Sequence, residues 1–233
     1  MITENAIVFF TLSSILIIVM VDAYLFYRHK GRYFVLWAVE WIIQFVQFYY
    51  SLKFDLLSLN AFSSGFLILL IFVQSCFSVW AIFLFLGLQV PQVGKRFFEV
   101  FGVAFLALIV GIYIFPTNQS LSNLGIVSVS SFKGVCYIWW AVLLYRNYPL
   151  KNFAVKILSL SVLLYGLHEF DYPLFVFLDL PLIYGFFIAH FLQLLIGVGL
   201  FILFYDQQQL ELDRIRRLQL SATKTESLGK MAR

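Results

Sequence analysis

Glu40, Gln44, Gln47 and Ser51 recur at helical spacing inside a stretch that is otherwise almost wholly apolar. Residues at i, i+4, i+7 and i+11 share one face of a helix. Three further apolar stretches carry a stripe of the same kind: Ser130, Lys133 and Tyr137; Ser161, Tyr165 and His168; and His190, Gln193 and Gly197. Groups of these types can pair charges, hydrogen-bond a small ligand, or exchange a proton with it. No residue in them is read as catalytic. The candidates for a polar core or ligand site are Glu40, Gln44, Gln47, Lys133, Tyr137, Tyr165, His168, His190 and Gln193.

The elements that must position them follow from composition. Of 233 residues 62% are hydrophobic and 12% charged, against about 45–50% and about 25% in soluble domains. With 28 Phe and a mean hydropathy of +0.92, the chain reads as an integral membrane protein, with no room beside the membrane part for a soluble domain of ordinary size. A hydrocarbon core of about 30 Å takes about 20 apolar residues in a helix. Seven stretches qualify: 5–26, 33–52, 62–88, 97–115, 124–145, 153–171 and 181–205. Breaks rich in Pro, Gly, Asn and charge separate them. The first lacks a positive leader and a small-residue cleavage pattern, so it is expected to stay as a helix. The expected fold is an all-α, seven-helix transmembrane bundle over 1–205, with a cytoplasmic helix over 206–233.

Basic residues set the orientation. Arg28, Lys30 and Arg32 follow the first stretch, Lys95 and Arg96 the third, Arg146 and Lys151 the fifth, while the alternate connections hold only Lys53. By the positive-inside rule, the N-terminus is expected outside and the C-terminus in the cytoplasm of a bacterial inner membrane. The two cysteines, Cys76 and Cys136, lie in apolar runs and are expected to behave as buried hydrophobes. The bilayer is the evident partner, and no nucleic-acid partner is expected.

Lipid cannot satisfy polar stripes, so the four should face one another inside the bundle. At about 1.5 Å per residue, Glu40 lies about 10 Å and Lys133 about 16 Å from the cytoplasmic edge of a ~30 Å core. A lysine stem covers that difference, which predicts a Glu40–Lys133 ion pair. Asp22 is expected to pair with the basic RHKGR run. His168 and His190 lie about 5 Å and about 14 Å from the outer edge by the same rise, too unequal for two axial ligands of one haem. His168, Glu169 and Asp171 read as a solvated helix end, with metal binding or pH sensing as alternatives, and no metal ligand is assigned. The last span has no Lys, against the retinal-binding seven-helix pattern. Gly185, Ala189 and Gly197 permit close helix packing. The stimulus expected for such an interior is a small amphipathic molecule of quinone or lipid-derived type.

Beyond Asp206 the chain is polar, with no Pro and no Gly until Gly229. Ile215, Leu218, Ala222 and Thr225 fall at alternating three- and four-residue spacing, the period of a two-helix seam, and are the expected signal relay. The closing run, ATKTESLGKMAR, resembles the start of the dimerisation helix of sensor histidine kinases. There K-x-E-S-L-G-x-(L/M)-A leads into G-x-(A/V)-H-(D/E), and Lys224, Glu226, Ser227, Leu228, Gly229, Met231 and Ala232 match the first part. The phosphoacceptor His falls beyond these residues, so the chain reads as trimmed ahead of a kinase core. YGLHEFDYPLF, at the end of the sixth span, looks like multi-span sensory segments that precede kinase, PAS or cyclic-dinucleotide synthase domains. The resemblance implies a homodimer whose kinase domain uses ATP and Mg and passes phosphate to a response regulator. No cofactor is implied for residues 1–233. A small transporter or channel ending in a helix is the alternative: VPQVGK resembles the Pro-Gln loops of seven-span transporters, though the second copy is absent.

Overall fold

In lipid an apolar run can satisfy its own backbone only by coiling into a helix or joining a closed barrel. The computed structural model, which describes residues 2–53, 61–115, 119–148, 153–177 and 182–231, contains helices and no strand among them. Each predicted stretch becomes one helix: α1 (Ile2–His29), α2 (Arg32–Lys53), α3 (Ala61–Phe85), α4 (Gln92–Ile114), α5 (Gln119–Asn147), α6 (Phe153–Phe177) and α7 (Leu182–Met231). Five of them, α3 to α7, contain segments long and apolar enough to cross a membrane. The described apolar part of α1 is shorter, Leu12–Tyr27, and α2 is diluted by Glu40, Gln44 and Gln47.

Six helices close a ring in the order α1, α2, α3, α5, α6, α7 and back to α1, while α4 packs outside it on α3 and α5. Its attachment is aromatic. Phe97, Phe98, Phe101 and Phe105 of α4 surround Phe132 of α5 with ring centroids 5.0 to 5.8 Å apart, and Phe72 of α3 completes the cluster. Rings at these separations add to the burial energy through edge-to-face and offset contacts. The connection into α4 is built by Gly87, whose φ of 65° closes α3. Leu88 N–H donates to the Phe83 carbonyl at 2.9 Å and Gly87 N–H to Leu84 at 3.2 Å, the left-handed cap that glycine makes without strain.

One contact inside the ring fixes the site. An added Cβ on Gly134 of α5 would stand 2.7 Å from the backbone oxygen of Gly166 on α6, and one on Gly166 would stand 2.9 Å from the oxygen of Gly134. Small residues let two helix backbones meet this closely, and here the meeting places Lys133 beside Tyr165 and Glu169. Gly134→Ala is therefore expected to destabilise the fold by about 1–3 kcal/mol through overpacking against unyielding backbone, measured as a lower melting temperature in detergent. A midpoint unchanged from wild type would show that the helices are held apart elsewhere.

The two ends of the ring differ. Exposed Lys30, Arg32, Lys95, Arg96 and Arg146 gather at the end where α1 meets α2 and α3 meets α4. Just inside that basic end the interior is filled by rings. Trp37 stacks near Trp140 at 6.3 Å and packs on Phe85 at 5.5 Å, Phe85 lies against Tyr148, and Phe34 meets Phe204 at 5.3 Å. The polar stripes occupy the other half.

Candidate polar ligand site in the ring interior

All nine core candidates turn inward: Glu40, Gln44, Gln47, Lys133, Tyr137, Tyr165, His190 and Gln193 are buried, and His168 is half-buried at the ring's edge. The side chains of Ser51, Ala222 and Thr225 lie outside the described residues.

Lys133 organises the middle of the site. Its Nζ is 2.9 Å from Glu169 Oε1 and donates to Gln44 Oε1 at 3.2 Å, with the Tyr165 ring centroid 5.2 Å away. Two charge-assisted hydrogen bonds and an aromatic face account for an ammonium that shows only 4% of its side chain to solvent. The ion pair expected with Glu40 is not the one formed. Glu40 instead accepts the hydroxyl hydrogen of Tyr137 and feels Lys133 and Ser78 nearby. The reason is azimuth. The Gly134–Gly166 crossing turns Lys133 toward α6, and Tyr137, one turn further along α5, comes to face α2.

Asp22 is 4% exposed, no ion pair among the described residues includes it, and the charge of Glu40 acts on it. The side chains of Arg28 and His29, part of the basic run it was expected to join, lie outside the described residues. Glu40 and Asp22 thus form a second, deeper acidic group toward the basic end. Tyr137 is a hydrogen-bond donor to Glu40 of this group. Tyr137→Phe leaves that buried carboxylate without it, and the expected cost is about 1–3 kcal/mol, read as a lower unfolding midpoint with helicity retained. A variant as stable as wild type would mean that Ser78 alone suffices.

Two glutamine bonds extend the network. Gln74 Nε2 donates to Gln44 Oε1 at 2.7 Å, and Gln193 Nε2 donates to the Tyr165 hydroxyl at 2.7 Å, tying α3 to α2 and α7 to α6. Gln74, Ser75 and Ser78 were missed in the sequence, although buried Ser64 and these three recur along one side of α3; a lone Gln among so many Phe and Leu was the available signal. His168 Nε2 lies 2.9 Å from the Gly185 carbonyl of α7, and Nδ1 lies 3.6 Å from Asp171 Oδ2. Glu169 faces Lys133, away from that pair, so the His168, Glu169 and Asp171 side chains diverge. His190 packs on Phe48 at 4.5 Å. Both cysteines are free.

Between these groups lies a cavity of about 80 Å³, reached by residues of α2, α3, α5, α6 and α7. Phe48, Leu67, Ile71 and Ile126 give its lining apolar surface, and Gln44, Ser130, Lys133, Tyr165, Glu169 and His190 give it polar groups. Drug-sized ligands occupy about 300–1,000 Å³, so this space holds several waters or a molecule of a few heavy atoms. Such a site can bind, orient and exchange partners for Lys133, and it is shut off from the basic end by the aromatic plug. No protein-family model matches the chain, and neither a curated protein nor a solved structure is significantly similar to it.

Proposed function

We propose that the chain is the sensory module of a membrane-bound sensor histidine kinase in a bacterial inner membrane. In this reading it crosses the bilayer seven times with its N-terminus outside. The polar cavity receives the stimulus from the outer side, and α7 carries the response into the cytoplasm. There the motif at 224–232 would join it to a dimerisation helix in a homodimer. A kinase domain with ATP and Mg would supply the phosphate, and a response regulator would receive it.

The observation that carries this reading is the extent of α7. One helix of 50 residues reaches the cavity with Ala189 and His190 and continues beyond Phe204, the last buried α7 position among the described residues. At about 1.5 Å per residue the remainder, to Met231, is about 40 Å long. Exposed Leu210, Ile215 and Leu218 run along it, and no helix among the described residues covers them. Helices in proteins owe most of their stability to packing an apolar face rather than to propensity, which supports a second copy beside it.

The transporter alternative needs a route through the ring. The Trp37, Phe85, Trp140 and Phe204 layer stands against that, because it fills the interior at the basic end. Reconstituting the full-length protein in liposomes tests both. Stimulus-dependent autophosphorylation without solute flux supports the sensor; flux of a small solute without kinase activity defeats it.

A further inference from the structure

We infer that the cavity is a site for a small monocarboxylate, whose carboxylate takes the place of Glu169 on Lys133. This deepens the sensor reading by naming its stimulus, and it rests on that reading only for the link to kinase output.

The argument starts from the unequal positions of the two charges. Lys133 shows 4% of its side chain and Glu169 shows 13%. The ammonium is held on three sides, by Glu169, by Gln44 and by the face of Tyr165. The carboxylate, the more accessible of the two, is the member that can swing out. An incoming carboxylate restores to Lys133 the charge-assisted bond that Glu169 gives up, so the exchange leaves no buried charge uncompensated. An incoming amine would have to expel Lys133 from Glu169 and strand an ammonium among apolar side chains, at a large desolvation cost.

The rest of the lining sets the size and shape of the ligand. About 80 Å³ accommodates a head group and a short alkyl tail, and Phe48, Leu67, Ile71 and Ile126 offer that tail apolar contacts. Ser130 adds a hydroxyl to the lining. The displaced Glu169 then sits next to His168, which touches the Gly185 carbonyl near the start of α7. Ligand exchange on α5 and α6 is thereby passed to the helix that leaves the bundle.

Calorimetric titration of the purified chain in detergent with sodium acetate, propionate and butyrate tests this. Sodium chloride is the ionic control and propylammonium chloride the amine probe. The expected result is saturable binding of at least one carboxylate and none of the amine. Lys133→Met should weaken carboxylate binding by about tenfold or more, the loss of one charge-assisted contact worth ~1.4 kcal/mol. Glu169→Gln should tighten it several-fold, because the competing carboxylate is gone. Heats no different from sodium chloride, binding of the amine instead, or weaker carboxylate binding in Glu169→Gln would each overturn the proposal. If Lys133→Met fails to fold, the tighter carboxylate binding expected of Glu169→Gln still decides it. Carboxylate binding with these signatures, but no effect on autophosphorylation of the full-length protein, upholds the site and defeats the sensor reading. Absence of binding defeats the ligand class and leaves the sensor reading standing.

Discussion

Replacing Glu169 with Leu is expected to cost about 3–5 kcal/mol, the range found when one partner of a buried ion pair is removed. Replacing Lys133 with Leu should cost distinctly less. The asymmetry follows from exposure: without Glu169, the ammonium that remains has 4% of its surface in contact with solvent, whereas without Lys133 the carboxylate that remains has 13% and can turn toward water. Gln44 keeps its contact with Lys133 at 3.2 Å and softens the loss without neutralising the charge. The double variant Lys133→Leu/Glu169→Leu should be more stable than Glu169→Leu alone, because an uncompensated charge is worse than none. A double-mutant cycle on unfolding midpoints in detergent checks this, and the coupling should be large because the groups are in direct contact. Additive single losses would show that the two side chains do not stabilise one another. Charge exchange, Lys133→Glu with Glu169→Lys, should recover part of the stability. The same exchange between positions 40 and 133 should recover none, since Glu40 is bonded to Tyr137 rather than to Lys133.

That contrast shows what the sequence could and could not disclose. Helix positions were legible because hydropathy and Pro, Gly and Asn breaks are one-dimensional signals. Each of the seven helices falls on an expected stretch, and α7 runs on unbroken because nothing between Asp206 and Met231 can stop it but Gly229. The inward direction of the polar residues was legible too, because the membrane forbids the outward one. The partner of Lys133 was not. Depth along the membrane normal placed Glu40 within reach, but depth carries no azimuth. The turn of α5 toward α6 is set by Gly134 and Gly166, two residues without side chains that no polar pattern flags. Glu169 was assigned to solvent because it adjoins His168 and Asp171 at a helix end; the structure turns Asp171 outward and Glu169 inward. The peripheral place of α4 was equally hidden. Its apolar face toward lipid and its Phe face toward Phe132 read alike in hydropathy, and only the packing of Phe97, Phe101 and Phe105 distinguishes them.

In the proposed sensor kinase, Leu218→Pro should abolish the response of autophosphorylation to stimulus while leaving the bundle inserted and stable. Proline in a helix interior removes one backbone bond and clashes with the carbonyl four residues earlier, at a cost of about 3 kcal/mol. Leu218 is 61% exposed and lies well past Phe204, the last buried α7 position among the described residues, so the damage stays in the projecting segment. The cavity, α6 and the start of α7 remain joined through His168 and Gly185 at 2.9 Å and through Gln193 and Tyr165 at 2.7 Å. Ligand-side events are therefore intact and only their transmission is lost. Insertions at the same place separate a broken rod from a turned one. One added Ala rotates everything downstream by about 100° and should lock kinase output high or low, because the Ile215 and Leu218 side of α7 no longer lines up with the residues that follow. Seven added residues return the face to within about 20° and should restore the response. A full response from Leu218→Pro, or equal responses from the one- and seven-residue insertions, would show that α7 does not transmit by its helical phase. The polar cavity and the projecting end of α7 would then act independently, and the unbroken length of α7 would reflect nothing more than the absence of a helix breaker after Asp206.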